Sequence, residues 1–265
     1  MLKIEKKWDY ISDSLRLAVL LIASFGFNYR TLVSNYAVIP IAYYLLRKGV
    51  PSNFVQSSNY EDDRRTIKRW LIIALLKQIF GGQPDNVLRP IRSVIQDNTG
   101  KFPLEEIKDN LKGTPKSMKV DEEEIKNLLS LKYGQRYTFL VLSLLYPTLD
   151  YRNQFHQDHI SPKSFFSSSK KLTNKGIAQE SHEFYLENYN YIGNIQLLEG
   201  IPNQEKLNMD FKKWFEKANP DDQSKREYRA KHYIPDVELS FGNFEEFFNK
   251  REELILKKLK EILID

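Results

Sequence analysis

The sequence predicts an α+β protein dominated by helix. Three observations carry that expectation. Apolar residues recur at helical spacing through the first 148 residues. Composition then changes near Asp150, and from there to Asn190 the chain is polar, aromatic and serine-rich, with two short strand-like segments in this half. An amphipathic helical pattern closes the chain. The expected organisation is a helical domain over 1–148, a small mixed unit over 149–217 and a helical extension over 218–265 packing on one of the other two.

The first helix runs from Trp8 to Phe25, with Ile11, Leu15, Val19, Leu20, Ile22 and Ala23 near helical spacing, and Asn28–Tyr29–Arg30 breaks it. Thr31 is placed to cap a second helix through Leu46, with Pro40 making a kink or a join. Asn53 to Asn59 is polar and serine-rich, a loop. Glu61–Asp62–Asp63 puts acid where a helix N-terminus favours it, and Gly81–Gly82 stops that helix after Phe80. Further helices are expected from Asp85 to Gln96, from Pro103 to Lys112, from the acidic run Asp121–Glu124, and from Gln135 to Leu145 with Pro147 as terminator. Gln154 to Ile160 and Tyr191 to Leu198 read as strands. Asn203 to Lys217 reads as one helix with Leu207, Phe211, Trp214 and Phe215 on a face, and Phe244 to Ile264 as the closing amphipathic helix.

The chain has 265 residues, 41% hydrophobic and 28% charged, the balance of a soluble globular protein rather than a disordered or collagen-like one. Cysteine is absent, which excludes disulfides, thiolate metal sites and cysteine nucleophiles. Only 4 histidines are available for imidazole chemistry. A spanning helix needs about 20 apolar residues. The best runs, Leu15–Phe27 with Arg16 inside and Leu71–Phe80 with Lys77 inside, are shorter, so no membrane contact is expected. No cleavable signal is visible, and the cytoplasm is the expected compartment.

The net charge of +5 is modest, but residues 64–92 carry seven Lys/Arg against Asp85 alone, a local +6. Arg65, Lys68 and Arg69 fall on one helical face by spacing. Lys163, Lys170 and Lys171 add a second cluster beyond Asp150. Both are candidate phosphate contacts that would hold nucleic acid without reading its sequence, or they are simply solvated surface.

The informative stretch is His156–Gln157–Asp158–His159–Ile160–Ser161–Pro162. On a strand, His156 and Asp158 share one face and His159 points to the other. A metal ligand and a base can thus come from adjacent residues. A second block follows: Gly193–Asn194–Ile195–Gln196–Leu197–Leu198, then Asn203 and Lys206 at the start of a helix. Together these resemble the HNH, or ββα-metal, nuclease motif, most closely the C-terminal nuclease region of the GmrSD-type restriction endonucleases. Their His-x-Asp-His-Ile-x-Pro-x-Ser segment fits His156 to Ser164 throughout. The step of nine residues from Asn194 to Asn203 and three more to Lys206 is similar to the HNH domain of RNA-guided DNA nucleases.

The resemblance implies a ββα unit within 149–217 and a divalent-metal-dependent DNA endonuclease acting in prokaryotic defence against foreign or modified DNA. It implies His159 as general base, Asn194 orienting His159 through its amide oxygen, Lys206 as a point charge near the phosphate, and Asp158 with Asn203 holding the metal. Many HNH motifs have a third histidine where this chain has Asn203, which favours Mg²⁺ or Mn²⁺ over Zn²⁺. His156 is read as a further ligand, a supporting group or a backbone hydrogen-bond partner, the structural reading preferred. His182 and His232 are read as surface residues. The spacer of 35 residues from His159 to Asn194 is long for the motif and implies an insertion, roughly Lys163 to Asn188.

The family couples its nuclease to an N-terminal nucleotide-dependent domain. This chain has no Gly-x-x-x-x-Gly-Lys-Ser/Thr segment. It is therefore read as the nuclease subunit of a split system with a nucleotide-dependent partner, a truncated remnant or a stand-alone nuclease. Two rival functions stay open: a non-catalytic DNA-binding or interaction subunit, and an RNase built on the same motif.

Overall fold

A computed structural model describes residues 5–29, 31–146, 149, 153 and 155–264. The expectations that rest on Arg30, Pro147, Asp150 and Gln154 lie outside these residues. The chain forms two compact units; the first ends at Val120 and the second begins at Asp121. The composition change near Asp150 does not mark their boundary.

In the first unit, α1 (Trp8–Ser24) packs on α2 (Val38–Lys48) through Ala18, Leu21 and Ile22 against Ile41, Ala42 and Leu45. Thr31 does not cap α2: its Oγ1 accepts from the Asn28 amide in a turn, and a 3₁₀ turn, Asn35–Ala37, leads into the helix. Gly49 ends α2 in the left-handed region at φ 61°, which glycine adopts without strain. Next come α3 (Glu61–Leu76), α4 (Asp85–Asp97) and α5 (Leu104–Leu111), with α4 packed on both α2 and α5. Buried Asp63 pins this bundle, accepting from Tyr44 Oη, from Lys48 Nζ at 3.0 Å and from the Phe102 amide at 2.8 Å.

The second unit opens with α6 (Glu122–Asn127), whose Asp121–Glu124 capping box satisfies two otherwise unpaired amides, and α7 (Arg136–Leu145). Strand β1 (Phe155–His159) pairs antiparallel with β2 (Ile195–Glu199), setting Asp158 opposite Gln196 and His159 opposite Ile195. Between the strands lie α8 (Ser169–Asn174) and α9 (His182–Asn188), the expected insertion, with their own aromatic core around Phe166, Leu172 and Tyr185.

After β2 the expected single helix over 203–217 is two. Helix α10 (Gly200–Lys206) stops at Leu207, which takes φ 42° and is 73% exposed, and Asp210 then caps α11 (Phe211–Ala218) through the Lys213 amide. Asp210 competes for the backbone better than a continued helix does. Leu207 therefore leaves the apolar face on which the periodicity set it. Helix α12 (Asp222–His232), not anticipated from the sequence, starts with an Asp221–Ser224 capping box.

Closing helix α13 (Phe244–Leu263) packs on α6 and α7, which places those two helices in the second unit. Phe247 enters the cluster of Ile160, Leu198, Trp214 and Phe215, while Phe244 and Phe248 enter the cluster of the insertion. Arg251 is fully buried and has no salt-bridge partner among the described residues. Its Nη1 donates to the carbonyls of Ile192 and Gly193, its Nη2 to Ile195 and His232, and its Nε to His232, at 2.9–3.3 Å. All five guanidinium donors are thereby used. Gly193 is required beside it: a Cβ there would lie 2.5 Å from the Phe248 ring.

No helix among the described residues is long and apolar enough to cross a membrane.

Lysine has three donors in place of five and cannot reproduce the fork. R251K is expected to lower the unfolding free energy by about 3 kcal/mol or more, because desolvated carbonyls lose their partners. An unchanged urea midpoint would contradict this. Burial also pushes the Glu252 carboxyl up to about 7, with Arg251 opposing. The folded chain then holds that proton more tightly than the unfolded one. The contribution is present at low pH and is lost as pH rises from the ordinary carboxylate range through about 7. E252Q should therefore melt above the wild type at pH 8, and the gap should close toward pH 4.

Candidate active site

The site is built on the two faces of β1. His156 and Asp158 share one face and His159 takes the other, as the strand period requires. On the Asp158 face, β2 contributes Gln196, whose Nε2 donates to Asp158 Oδ2 at 2.9 Å, and Tyr228 of α12 donates to Gln196 Oε1 at 2.7 Å. Burial raises the Tyr228 phenol well above its ordinary value, so it stays a neutral donor. From α10, Lys206 brings its Nζ to 3.2 Å from Asp158 Oδ1 and 2.9 Å from Oδ2, and onto the carbonyl of His159. The lysine side chain has no exposed surface and that of Asp158 is 11% exposed. Burial lowers the Lys206 amine from its usual value, with Asp158 opposing.

On the other face the His159 ring stacks on Tyr133, centroids 4.5 Å apart at 27°, with Tyr189 beyond at 6.2 Å. Its Nε2 donates to Asn190 Oδ1 at 3.0 Å. An amide oxygen only accepts, so the ring proton sits on Nε2 and Nδ1 carries the free lone pair. Desolvation is the largest influence on this imidazole and lowers its pKa, against the Asn190 bond and Asp158, which raise it. His159 is thus neutral near pH 7. Tyr133 arrives there because the segment around it runs beside 190–192: its amide donates to Asn190 O, and Ile192 donates to Leu131 O. Gln157, on the same face, accepts from the Gly134 amide at 2.8 Å.

Asn194 is not the group that orients His159. Its side chain is wholly buried and faces the turn after β1: Oδ1 accepts from the Ser161 amide at 2.8 Å, and Nδ2 donates to the carbonyls of Ser161 and Tyr189. The backbone adds a bond from the Ile160 amide to Asn194 O. Asn194 therefore locks the exit of β1 to the entry of β2, and Asn190 takes the orienting role. Lys206 is likewise turned inward, onto Asp158 and the His159 carbonyl.

Asn203 lies one helical turn before Lys206 on the same face of α10. It is half-buried, and its carboxamide has no partner among the described residues. His156 is half-buried and makes no hydrogen bond among the described residues, to the backbone or otherwise. Both remaining histidines are buried rather than on the surface. His182 Nε2 pairs with the Ile177 carbonyl at 3.1 Å. His232 stacks on Tyr228, and its Nδ1 meets Tyr146 Oη at 3.3 Å.

The basic candidates divide. Lys163, Lys170 and Lys171 are exposed without an ion-pair partner among the described residues, and Lys163 is close enough to His159 to depress its pKa. Arg65 is exposed but paired with Glu61 and Asp62. Lys68 is half-buried over the Phe25 ring and pushed down to about 8 by burial, and Arg69 is half-buried. These three do not form an open cationic strip.

Among the described residues no three His, Cys, Asp or Glu side chains gather as a metal cage. The donors present still suit a hard cation. Asp158 Oδ1 has a single protein partner and so a spare lone pair, and Asn203 offers an unused carboxamide oxygen. Mg²⁺ is commonly held by one or two such oxygens plus water and phosphate.

Asn190, Gln196, Tyr228 and Tyr133 were not singled out by the sequence. Only Gln196 had a local signal, as the strand neighbour two residues beyond Asn194. N194A is expected to cost about 2–4 kcal/mol of stability by orphaning the Ser161 amide and two carbonyls in a dry site. Thermal unfolding unchanged within a degree would contradict it. Comparison of the chain with protein-family models and with curated proteins gives no match.

Proposed function

We propose that the chain is a divalent-metal-dependent endonuclease of the HNH type that hydrolyses phosphodiester bonds in DNA. One observation carries this reading. An antiparallel strand pair followed by a short helix brings Asp158 and Lys206 into contact across 48 positions, with a neutral histidine on the adjacent strand position. The sequence resemblance to restriction nucleases adds the defensive setting.

In this reading His159 accepts the proton of the attacking water at Nδ1, since Nε2 is committed to Asn190. Burial keeps the ring unprotonated and therefore able to accept. The stacked Tyr133 ring limits the positions the imidazole can take. Asp158 and Asn203 would hold Mg²⁺ or Mn²⁺, with His156 the nearest further donor on that face. The chemistry supplied there on binding is polarisation of the scissile phosphate and stabilisation of the departing oxygen. Gln196 and Tyr228 fix the Asp158 carboxylate through Oδ2, which leaves Oδ1 with Lys206 as its partner among the described residues. Exposed Lys163, Lys170 and Lys171 attract the backbone without selecting a sequence.

Supercoiled plasmid incubated with the full chain and Mg²⁺ or Mn²⁺ should be nicked or linearised, and H159A should lose about 10²–10⁴-fold in rate, the usual worth of a positioned base. Equal cutting by both proteins rejects His159 as the base. Cutting of RNA but not of plasmid reassigns the substrate.

A further inference from the structure

Lys206 occupies Asp158 in an unexpected way. Lysine is almost never fully buried unless paired. Here its three donors all turn inward, to Asp158 Oδ1 at 3.2 Å, to Oδ2 at 2.9 Å and to the carbonyl of His159. The ammonium therefore sits among two carboxylate oxygens and a carbonyl oxygen, the hard-oxygen surroundings that a divalent cation takes. Gln196, backed by Tyr228, holds the carboxylate from its other side, so Asp158 cannot turn toward a newcomer.

The element that carries Lys206 is held by little else. Lys206 is the one buried residue of the seven in α10. Ile201 and Leu207 are each 73% exposed, and Gln204 and Glu205 face solvent. The helix ends at Leu207, a non-glycine residue at φ 42°. An ion pair, rather than an apolar face, fastens α10 to the sheet.

We propose that Lys206 is an internal counter-ion that latches the metal-free site, and that a divalent cation binding at Asp158 and Asn203 displaces its ammonium. The released side chain, on its four-carbon stem, then reaches out to a substrate phosphate as a mobile positive charge. The latch keeps the Asp158 carboxylate neutralised when no cation is present, and cation affinity is set by the competition. This rests on the nuclease reading for its choice of Asp158 and Asn203 as ligands.

The test uses the full chain. Wild-type protein is treated with an amine-acylating reagent in EDTA and at saturating Mg²⁺, and modification of Lys206 is followed by mass spectrometry, with exposed Lys170 as reference. Lys206 should react at least about tenfold faster with Mg²⁺, while Lys170 is unchanged. In parallel, Mn²⁺ binding is measured by electron paramagnetic resonance. K206M should bind Mn²⁺ at least about tenfold more tightly than wild type, and D158N should not bind it. If Mn²⁺ binds the wild type while Lys206 stays unreactive, the latch is wrong and the metal site stands. If neither wild type nor K206M binds Mn²⁺, the ligand assignment falls and the latch falls with it. Should K206M fail to fold, the labelling of wild type still decides.

Discussion

A buried guanidinium organises the second unit. Arg251 has no salt-bridged carboxylate among the described residues; its direct hydrogen bonds run to four carbonyls contributed by two stretches of chain. Removing an ion of this size from water costs several kcal/mol, and only a complete set of partners repays it. The arrangement is therefore close to all-or-none: the carbonyls of Ile192, Gly193 and Ile195 and that of His232 must stand together around one side chain. Those carbonyls lead into β2 and end α12. The strand that carries Gln196 and the helix that carries Tyr228 are thus positioned by the same group.

That constraint ties distant parts of the sequence to the site. Phe248, one turn before Arg251, lies so near Gly193 that no side chain fits there. The glycine of the Gly193–Asn194 block is explained by an approach of α13, and the asparagine by the clamp on Ser161. Neither residue touches substrate chemistry directly. Within the second unit, α13 bearing Arg251 and the segment around Tyr133 both hold 190–196.

Local patterns in the sequence identify the first strand, the alternation of Asp158 and His159, the insertion between the two blocks and the amphipathic closing helix; the second strand starts at Ile195 and not at Tyr191, because Ile192–Asn194 form a 3₁₀ turn. Period and capping act over a few residues and are visible there. What escaped was decided by tertiary contact. Asn190 and Asn194 are both asparagines near a Gly; which one faces His159 depends on how the turn after β1 folds back. His182 and His232 lie in polar stretches without an apolar period; His182 is drawn in by the Ile177 carbonyl, and His232 is covered by Tyr146 and Tyr228. The cationic face of Arg65, Lys68 and Arg69 is real in spacing, but one member is paired and the others lean on the core. The break at Leu207 was readable in principle, since Asp210 is a good cap three residues before Lys213, but the apolar period masked it.

The Ser161–Asn194 clamp has a topological consequence. The chain leaves the strand pair at Ser161 and returns at Asn194 through a neck that Asn194 holds by its bonds to Ile160 and Ser161. The part between has an aromatic core that it shares with Phe244 and Phe248 of α13. Closing a longer or shorter loop changes the entropy only slowly with length. The exposed turn around Gly176, between α8 and α9, can thus change length while the separation of Asp158 from its partners on β2 and α10 stays fixed, whereas Phe166 and Tyr185 are tied to α13 and the neck to Asn194.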